Sequence, residues 1–172
     1  LSLSKEKTTE LINAIQEIKS KVKFCDFCFN PYEPSDSDDK LCPVCQNPSR
    51  NRQMLCVVEK EADLISIEKT KKYNGLYFIL GGVLNLRRNN IDNLRIKELK
   101  DRLTNPAKFG LKTADFKEII IATNPTPEGK STSILIEGAL KEGPLSKLKI
   151  THLAKGLPVG GELEYDDEET LE

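Results

Sequence analysis

Two Cys-x-x-Cys pairs near the start of the chain restrict its fold more than any other feature of the sequence. Cys25 and Cys28 form the first pair, Cys42 and Cys45 form the second, and thirteen residues separate the pairs. Each pair spans a tight turn that brings two sulfurs to one point, and four thiolates at this spacing are typical of a tetrahedral zinc site. A closed set of four ligands leaves no position for water. The spacing therefore predicts one structural Zn²⁺ per chain, stabilising a small module.

The alternative for these four cysteines is a pair of disulfides, which requires an oxidising compartment. The sequence contains no secretory signal and no long apolar run. This favours the metal site and predicts a soluble, cytoplasmic protein. The fifth cysteine, Cys56, lies in the apolar run 55–58, so we expect it to be a buried core residue and not a reactive thiol.

The charge of the chain is distributed unevenly. The net charge is −1, but seven of the 27 acidic residues fall within positions 162–172, where no basic residue occurs. The first 161 residues therefore carry 26 basic and 20 acidic side chains, a surplus of +6. A surplus of this size permits contacts with phosphate without requiring them. The loop 35–39 between the cysteine pairs is acidic, so the zinc module is a poor candidate for gripping DNA.

The sequence divides into four predicted segments. Residues 1–23 form a helix with Leu11, Ile15, Ile18 and Val22 on one face and with Thr8 or Thr9 as its cap. The later segments are a Cys₄ zinc finger at 24–49, an α/β domain at 50–153, and a Gly-rich turn with an acidic tail at 154–172.

Residues 50–153 alternate between strand-like and helix-like patterns. Predicted strands cover 55–58, 75–80, 118–123 and 148–153, and predicted helices cover 61–71, a segment with Ile96, Leu99 and Leu103 on one face, and 131–140. This alternation is typical of a parallel sheet covered by helices. Ligands of such sheets bind beyond the carboxyl ends of the strands. Glu59, Gly81-Gly82 and the loop 124–130 are the three features that fall there.

These residues make the chain similar to the bacterial recombination mediator (RecR) family. The similarity covers essentially the whole chain and depends on the two cysteine pairs, on Cys56-Val-Val-Glu59, Leu80-Gly-Gly82 and Ala122-Thr-Asn-Pro-Thr-Pro-Glu-Gly129, and above all on the stretch from Leu153 to Tyr165. The resemblance implies a zinc finger followed by a Toprim domain, the α/β module also found in topoisomerases and primases. Family members begin with a helix-hairpin-helix DNA-binding element, so residues 1–23 are expected to be the remnant of that region.

The resemblance also implies a function. A protein of this family is expected to be a clamp-like, non-enzymatic mediator of DNA repair and recombination that joins RecO, and sometimes RecF, and helps load RecA onto single-stranded or gapped DNA. The expected partners are therefore RecO, RecF, single- and double-stranded DNA, and further copies of the chain in a dimer or tetrameric ring, with no membrane partner. DNA binding is expected to be weakened in a chain that starts after the helix-hairpin-helix, and the expected location is the nucleoid.

The loop after the third strand departs from catalytic Toprim domains. Those domains pair an acidic residue after the first strand with a later loop of sequence Asp-x-Asp followed by Glu-Gly-Glu. Glu59 matches the first position, but Asn124 and Thr126 replace the aspartates, Lys130 replaces the last glutamate, and only Glu128 stays acidic. Mg²⁺ binds through carboxylate oxygens, so these replacements predict that the chain is not an enzyme. A residual metal-dependent Toprim enzyme and a zinc-stabilised interaction domain without a DNA role are the alternatives.

Three surfaces are predicted beside the metal ligands. The partner-binding loops contain Glu59, Asp63, Gly81, Gly82, Asn124 and Glu128. The candidate DNA-binding residues are Arg87, Arg88, Arg95 and Lys97, although a solvated basic face explains this run equally well. The resemblance suggests an oligomer contact through Gly156, Pro158, Gly160, Gly161 and Tyr165, with a turn that merely closes the sheet as the alternative. His152, the only histidine, is predicted to be structural.

Overall fold

The computed structural model describes residues 4–85 and 93–153. The chain begins with α1 (Lys5–Lys21) and continues into the cysteine module, which contains β1 (Lys23–Phe24), β2 (Pro31–Tyr32) and the short helix α2 (Pro43–Gln46). The α/β domain follows, with β3 (Asn51–Val58), α3 (Glu61–Lys69), β4 (Gly75–Ile79), α4 (Ile96–Thr104), β5 (Glu118–Ala122), α5 (Pro127–Leu140) and β6 (Lys149–His152). Two 3₁₀ turns, Pro106–Phe109 and Gly143–Lys147, precede β5 and β6.

Strands β3 to β6 form one parallel sheet in the order β4-β3-β5-β6. The central strand β3 lies between β4 and β5, so that Leu55 is opposite both Leu76 and Ile119. Parallel neighbours need long crossover connections, and the helices between these strands supply them. The sheet confirms the fold class that the alternating sequence pattern predicted.

The two faces of the sheet are covered by different elements, because successive side chains of a strand point to opposite sides. Leu55 and Val57 pack in the larger core together with residues of α4, α5 and the cysteine module. Cys56 and Val58 pack in a smaller core on the other face, with Leu64 of α3. The cysteine module therefore shares a continuous core with the α/β domain.

Two helices have a first turn that differs from the sequence prediction. Helix α1 begins at Lys5, and Ser4 caps it by accepting a hydrogen bond from the Lys7 backbone N–H at 3.3 Å. Thr8 and Thr9, the predicted caps, instead donate their hydroxyls to backbone carbonyls inside the helix. The apolar stripe of α1 is exposed, and none of its residues is buried.

Helix α5 begins at Pro127, four residues before the predicted start at 131. Thr126 accepts a hydrogen bond from the Gly129 N–H at 3.0 Å, and proline is favoured in the first helical position. Glu128 therefore lies in the first turn of a helix and not in a loop. This placement brings the start of α5 against the end of β3.

Within residues 4–85 and 93–153, no helix is both long enough and apolar enough to cross a bilayer.

Candidate metal centre and carboxyl-edge site

The four predicted ligands meet at one buried point. The sulfurs of Cys25, Cys28, Cys42 and Cys45 all lie within 4.8 Å of one another, and the Cys28 and Cys42 sulfurs are 3.5 Å apart. A zinc ion with four sulfurs at about 2.3 Å would place them about 3.8 Å apart. All five cysteines are free, which argues against the disulfide alternative. The residues therefore fit a tetrahedral metal site, and four thiolates would hold the ion there.

The thiols of the cluster influence one another. Side-chain hydrogen bonds with Cys28, Cys42 and Cys45 lower the pKa of Cys25 well below its usual range. Side-chain hydrogen bonds with Cys25, Cys28 and Cys42, followed by burial, raise the pKa of Cys45. Cys56 is different, because burial alone raises the pKa of its thiol to about 12. A thiol with such a pKa is protonated and unreactive near neutral pH. This confirms the prediction that Cys56 is a core residue.

The metal module is attached directly to the edge of the sheet. The backbone N–H of Ile79, at the end of β4, donates to the Cys28 carbonyl at 3.0 Å. The module thus covers an edge strand whose amide would otherwise need another partner. Phe29, the next residue, packs edge-on against Phe78 of β4 with ring centroids 5.7 Å apart. These two contacts join the first cysteine pair to the end of β4.

Arg102 of α4 is a second attachment, which the sequence pattern does not indicate. Its side chain is 7% exposed, its Nε donates to the Asp26 carbonyl at 3.0 Å, and its guanidinium lies 4.2 Å from the ring centroids of both Phe29 and Phe109. Burial lowers the pKa of Arg102, but a guanidinium stays charged in proteins. The apolar residues of α4 predict which face of the helix is buried. They do not show that Arg102 is also buried on this helix.

Arg50 secures the opposite end of the sheet. It pairs with Glu68 of α3 and donates to the Tyr73 and Gly75 carbonyls, both at 3.3 Å. The Tyr77 hydroxyl donates to the same carboxylate at 2.7 Å. Burial raises the pKa of Glu68, but the bonds from Arg50 and Tyr77 outweigh it and hold the pKa below its ordinary value. The pattern of charges alone did not indicate this network.

The carboxyl ends of the central strands carry a second site, formed around Glu59. Its side chain is 3% exposed. One carboxylate oxygen accepts from the Asn124 backbone N–H and the other from the Asn124 side-chain Nδ2, both at 2.6 Å. Asn124 stands where the sequence comparison with catalytic Toprim domains expects an aspartate. An amide donor, and not a second carboxylate, therefore contacts Glu59.

Gly129 allows this close approach. A Cβ at this position would lie 2.0 Å from the Asn124 carbonyl oxygen and 3.2 Å from a carboxylate oxygen of Glu59. No side chain fits at these distances, so only glycine lets the start of α5 lie against the loop. The loop motif of the sequence contains Gly129, but the motif alone does not indicate this steric requirement.

The Gly81-Gly82 turn also lies at this edge. The Gly81 N–H donates to the Glu59 carbonyl at 3.0 Å, and the two glycines have φ values of 92° and 146°. L-residues rarely adopt such values. The structure therefore brings together three of the predicted features, namely Glu59, the diglycine turn and the loop that begins at Asn124.

The other predicted partner-binding residues lie around this centre. Asp63 accepts from the Lys60 backbone N–H at 2.9 Å and so caps α3. Glu128 is half-buried in the first turn of α5, and its carbonyl accepts from Thr132 at 2.6 Å. The Thr132 hydroxyl in turn accepts from the Leu84 N–H at 2.8 Å, which links α5 to the segment after the diglycine turn.

The predicted basic surface is described only in part. Arg87 and Arg88 lie outside the described residues, and Lys97 is exposed on α4. Arg95 donates to the Ile79 carbonyl at 3.1 Å, and its guanidinium lies 4.4 Å from the Phe29 ring centroid. These contacts give Arg95 a structural role, and its assignment as a DNA-binding residue stays a prediction. The predicted oligomer contact, with Gly156, Pro158, Gly160, Gly161 and Tyr165, also lies outside the described residues.

His152 forms a short polar chain at the other edge strand. Its Nε2 lies 2.8 Å from a carboxylate oxygen of Glu137, and its Nδ1 lies 3.2 Å from the Ser133 hydroxyl. Both partners belong to α5, so the imidazole joins β6 to that helix. The contacts are those of a structural residue, as the sequence predicted.

Comparisons with known proteins agree with this architecture. A family model described as a Toprim domain matches residues 53–154. The fold and its two sites define a Toprim-domain protein with an attached Cys₄ metal module. Relatives called recombination protein RecR match almost the whole chain: the one from Bifidobacterium adolescentis is 43% identical over 99% of the chain and 78% of its own length. The chain belongs to the RecR family.

Two further relatives of the same name support this assignment. The protein from Clostridium perfringens is 39% identical over 99% of this chain and 78% of its own length. The protein from Cutibacterium acnes is 40% identical over 96% of this chain and 75% of its own length. The chain thus spans about three quarters of the relatives' length.

Proposed function

We propose that this chain is a non-enzymatic mediator of DNA repair and recombination. It associates with RecO, and in some settings with RecF, as part of a clamp-like ring, and helps load RecA onto single-stranded or gapped DNA. Its place of action is the nucleoid in the cytoplasm. Family membership supports the recombination role, and the geometry around Glu59 supports the absence of catalysis.

The hydrogen bonds between Asn124 and Glu59 are the observation that carries this proposal. A catalytic Mg²⁺ requires free carboxylate oxygens and usually keeps several waters. Both oxygens of Glu59 already accept hydrogen bonds at 2.6 Å, and the side chain is 3% exposed. The nearby positions 126 and 130 hold a threonine and a lysine. The site is therefore organised as an anchored loop and not as a metal-binding active site.

The surface that remains available at this edge is the proposed partner-binding surface. Gly81 and Asn124 are exposed, and Gly82 and Glu128 are half-buried. Glu59 and Asp63 hold neighbouring residues in place: Glu59 accepts a hydrogen bond from Asn124, and Asp63 caps α3. The surface consists mainly of backbone and one acidic side chain, so its shape matters more for recognition than its charge.

We further propose that the metal is zinc, that one ion is bound per chain, and that its role is structural. The four thiolates leave no position for a substrate. Elemental analysis of the purified chain should find one equivalent of zinc, and Cys25→Ser should lower that content and make residues 24–46 sensitive to proteolysis. A metal content of zero in protein purified without chelators, or unchanged resistance of the variant, would contradict the structural role.

The DNA and oligomer contacts are proposed on the sequence alone. Arg87, Arg88, Arg95 and Lys97 are the candidate DNA-binding residues, and the segment 156–165 is the candidate oligomer contact. Replacing Arg87 and Arg88 by alanine should weaken DNA binding and reduce its dependence on salt, because each lost phosphate contact removes counterion release. An unchanged salt slope would remove them from the interface.

Binding to RecO tests the proposed partner surface. Glu128→Arg reverses a charge on this surface and should weaken binding of RecO measured by calorimetry or pull-down. Asp115→Arg is the matched control, because it reverses an exposed acidic side chain that pairs with Lys117 just before β5, at the opposite end of the sheet. A full-length family member serves as the positive control. Equal binding by the two variants would place the RecO contact elsewhere, and no binding by the parent chain would refute the partnership.

Magnesium binding tests the enzymatic alternative. The parent chain and Glu59→Ala should both show negligible Mg²⁺ binding by calorimetry and no cleavage of DNA in the presence of Mg²⁺. If the parent chain bound Mg²⁺ and Glu59→Ala did not, the residual Toprim enzyme would replace the mediator as the proposed function.

A further inference from the structure

Phe29 and two arginines connect the metal module to the diglycine turn. Phe29 directly follows the ligand Cys28 and has a φ of 63°, which is uncommon for a large side chain. Its backbone N–H donates to the Cys25 carbonyl at 3.0 Å, closing the turn that presents the first cysteine pair. The position of the Phe29 ring is consequently fixed by the same turn that positions two metal ligands.

The Phe29 ring contacts two guanidinium groups. Arg95 Cζ lies 4.4 Å and Arg102 Cζ lies 4.2 Å from its centroid. Cations over an aromatic face are attracted by the ring, and the attraction is stronger where water is excluded. Within residues 4–85 and 93–153, no carboxylate forms an ion pair with Arg102. Its guanidinium contacts aromatic rings and donates to the Asp26 and Glu98 carbonyls.

Arg95 carries the connection on to the turn. Its guanidinium lies 3.3 Å from the position that a Cβ of Gly81 would occupy, and Nη1 donates to the Ile79 carbonyl at 3.1 Å. Its own backbone N–H donates to the Leu80 carbonyl at 3.0 Å. The side chain therefore lies between the ring of Phe29 and the backbone of residues 79–81. A parallel connection is the hydrogen bond from the Ile79 N–H to the Cys28 carbonyl.

From these contacts we infer that metal occupancy of the Cys₄ module controls the conformation of the Gly81-Gly82 turn. Arg95 and Arg102 are the positioning residues. Loss of the metal releases the Cys25–Cys28 turn and with it the Phe29 ring, so that Arg95 loses the surface that holds it against Gly81. The consequence for RecO binding depends on the proposed function, whereas the coupling between the metal and the turn does not.

Hydrogen exchange on the parent chain tests the coupling directly. The Gly81 amide is protected by the Glu59 carbonyl, and its exchange should accelerate when zinc is removed by a chelator. The amides of Ile119–Ala122 in β5 are the internal reference and should keep their protection. Unchanged exchange at Gly81 would overturn the coupling. Equal acceleration in β5 would also overturn it, because metal loss would then unfold the whole domain.

Zinc affinity tests the other part of the inference, namely that Arg102 positions the metal module through Phe29 and the Asp26 carbonyl. Arg102→Met should weaken zinc binding, measured by competition with a chelating dye, by about tenfold, which is within the common range of about 5- to 150-fold. Arg102→Lys keeps the charge but loses the planar stacking and the Nε bond, and should also weaken binding.

Lys100→Gln is the control, since it removes a positive charge from the same helix without a recorded contact to Phe29. An affinity for Arg102→Met equal to that of the control would overturn the inference. Full affinity in Arg102→Lys would show that charge alone acts on the metal site, which would overturn the role of the aromatic contact.

Discussion

Asn124→Asp is the substitution that most directly tests how the carboxyl-edge site is organised. The change is nearly isosteric but replaces a donor by an acceptor. The side-chain nitrogen of Asn124 lies 2.6 Å from a carboxylate oxygen of Glu59, which is 3% exposed. Two ionised carboxylates at that distance repel each other by about 6 kcal/mol at an effective dielectric constant of about 20.

Proton uptake limits this cost. Protonating a carboxyl group with an ordinary pKa of about 4.3 costs about 4 kcal/mol at pH 7 and about 1 kcal/mol at pH 5. Both values are smaller than the repulsion, so the pair takes up one proton, and the new acid donates a hydrogen bond to its neighbour. The pKa of the pair in the folded variant is raised, so the loss of stability is largest at high pH and decreases as the pH falls.

Urea unfolding of the parent and the variant at pH 7, 6 and 5 measures this difference. We expect Asn124→Asp to lower the free energy of unfolding by about 4 kcal/mol at pH 7 and by about 1 kcal/mol at pH 5. Asn124→Ala is the control: it removes one hydrogen bond to a charged group, worth about 1.5–3 kcal/mol, and adds no charge. Its effect should change little over the same pH range.

Magnesium provides an independent measurement on the same variants. Two facing carboxylates attract a divalent cation, and a ligand that binds only the folded state stabilises it. Mg²⁺ should therefore restore part of the stability of Asn124→Asp at pH 7 and leave the parent unchanged. A loss of stability that is equal at pH 5 and pH 7 and insensitive to Mg²⁺ would refute the argument that the Asn124 amide occupies a cation position.

Two further predictions concern steric fit and pH. Gly129→Ala should lower the free energy of unfolding by about 1–3 kcal/mol, because its Cβ would overlap the Asn124 carbonyl oxygen. The control Gly138→Ala, in the same helix, meets no atom within 4 Å and should be neutral or stabilising by up to about 1 kcal/mol. Urea unfolding of both variants measures the difference, and equal losses of stability would contradict the overlap. Although burial raises the pKa of Glu68, bonds from Arg50 and a neighbouring tyrosine leave it lowered, so the stability that Glu68 adds is present above the unfolded pKa and is lost as the pH falls through the folded value. The difference in stability between the parent and Glu68→Gln should therefore shrink as the pH falls from 6 to 3, and a constant difference would contradict the pKa assignment.

The metal site and the sheet could be predicted because both depend on local patterns. Two turns of four residues place the thiols of each cysteine pair together whatever surrounds them. Apolar runs in β3, β4 and β5 mark buried strands, and the stretches between them are long enough for crossover helices. The apolar pattern alone starts α5 four residues too late, because the helix begins at the polar capping signal Thr126-Pro127, ahead of its first apolar residues.

The contacts that hold the metal module could not be predicted in the same way. Phe29 precedes Arg95 by 66 residues and Arg102 by 73 residues in the chain, and the folded domain brings its ring against both guanidinium groups. In the sequence, Arg95 belongs to a basic run that resembles a nucleic-acid surface. The spacing of charges does not show whether a guanidinium faces solvent or stacks on an aromatic ring, because an arginine side chain is stable in either environment.

At the carboxyl-edge site, Asn124 does more than remove a possible cation ligand, because its side chain also donates a hydrogen bond to Glu59. The sequence shows that Asn124 stands where catalytic Toprim domains have an aspartate, which predicts only a weaker cation site. The structure shows that the amide donates to the carboxylate that a cation would otherwise neutralise. A buried carboxylate without a partner is unfavourable by several kcal/mol. Without the side-chain donor at position 124, Glu59 would therefore destabilise the fold. With Asn124 as its donor, Glu59 has a partner for each carboxylate oxygen and fixes the loop between β5 and α5.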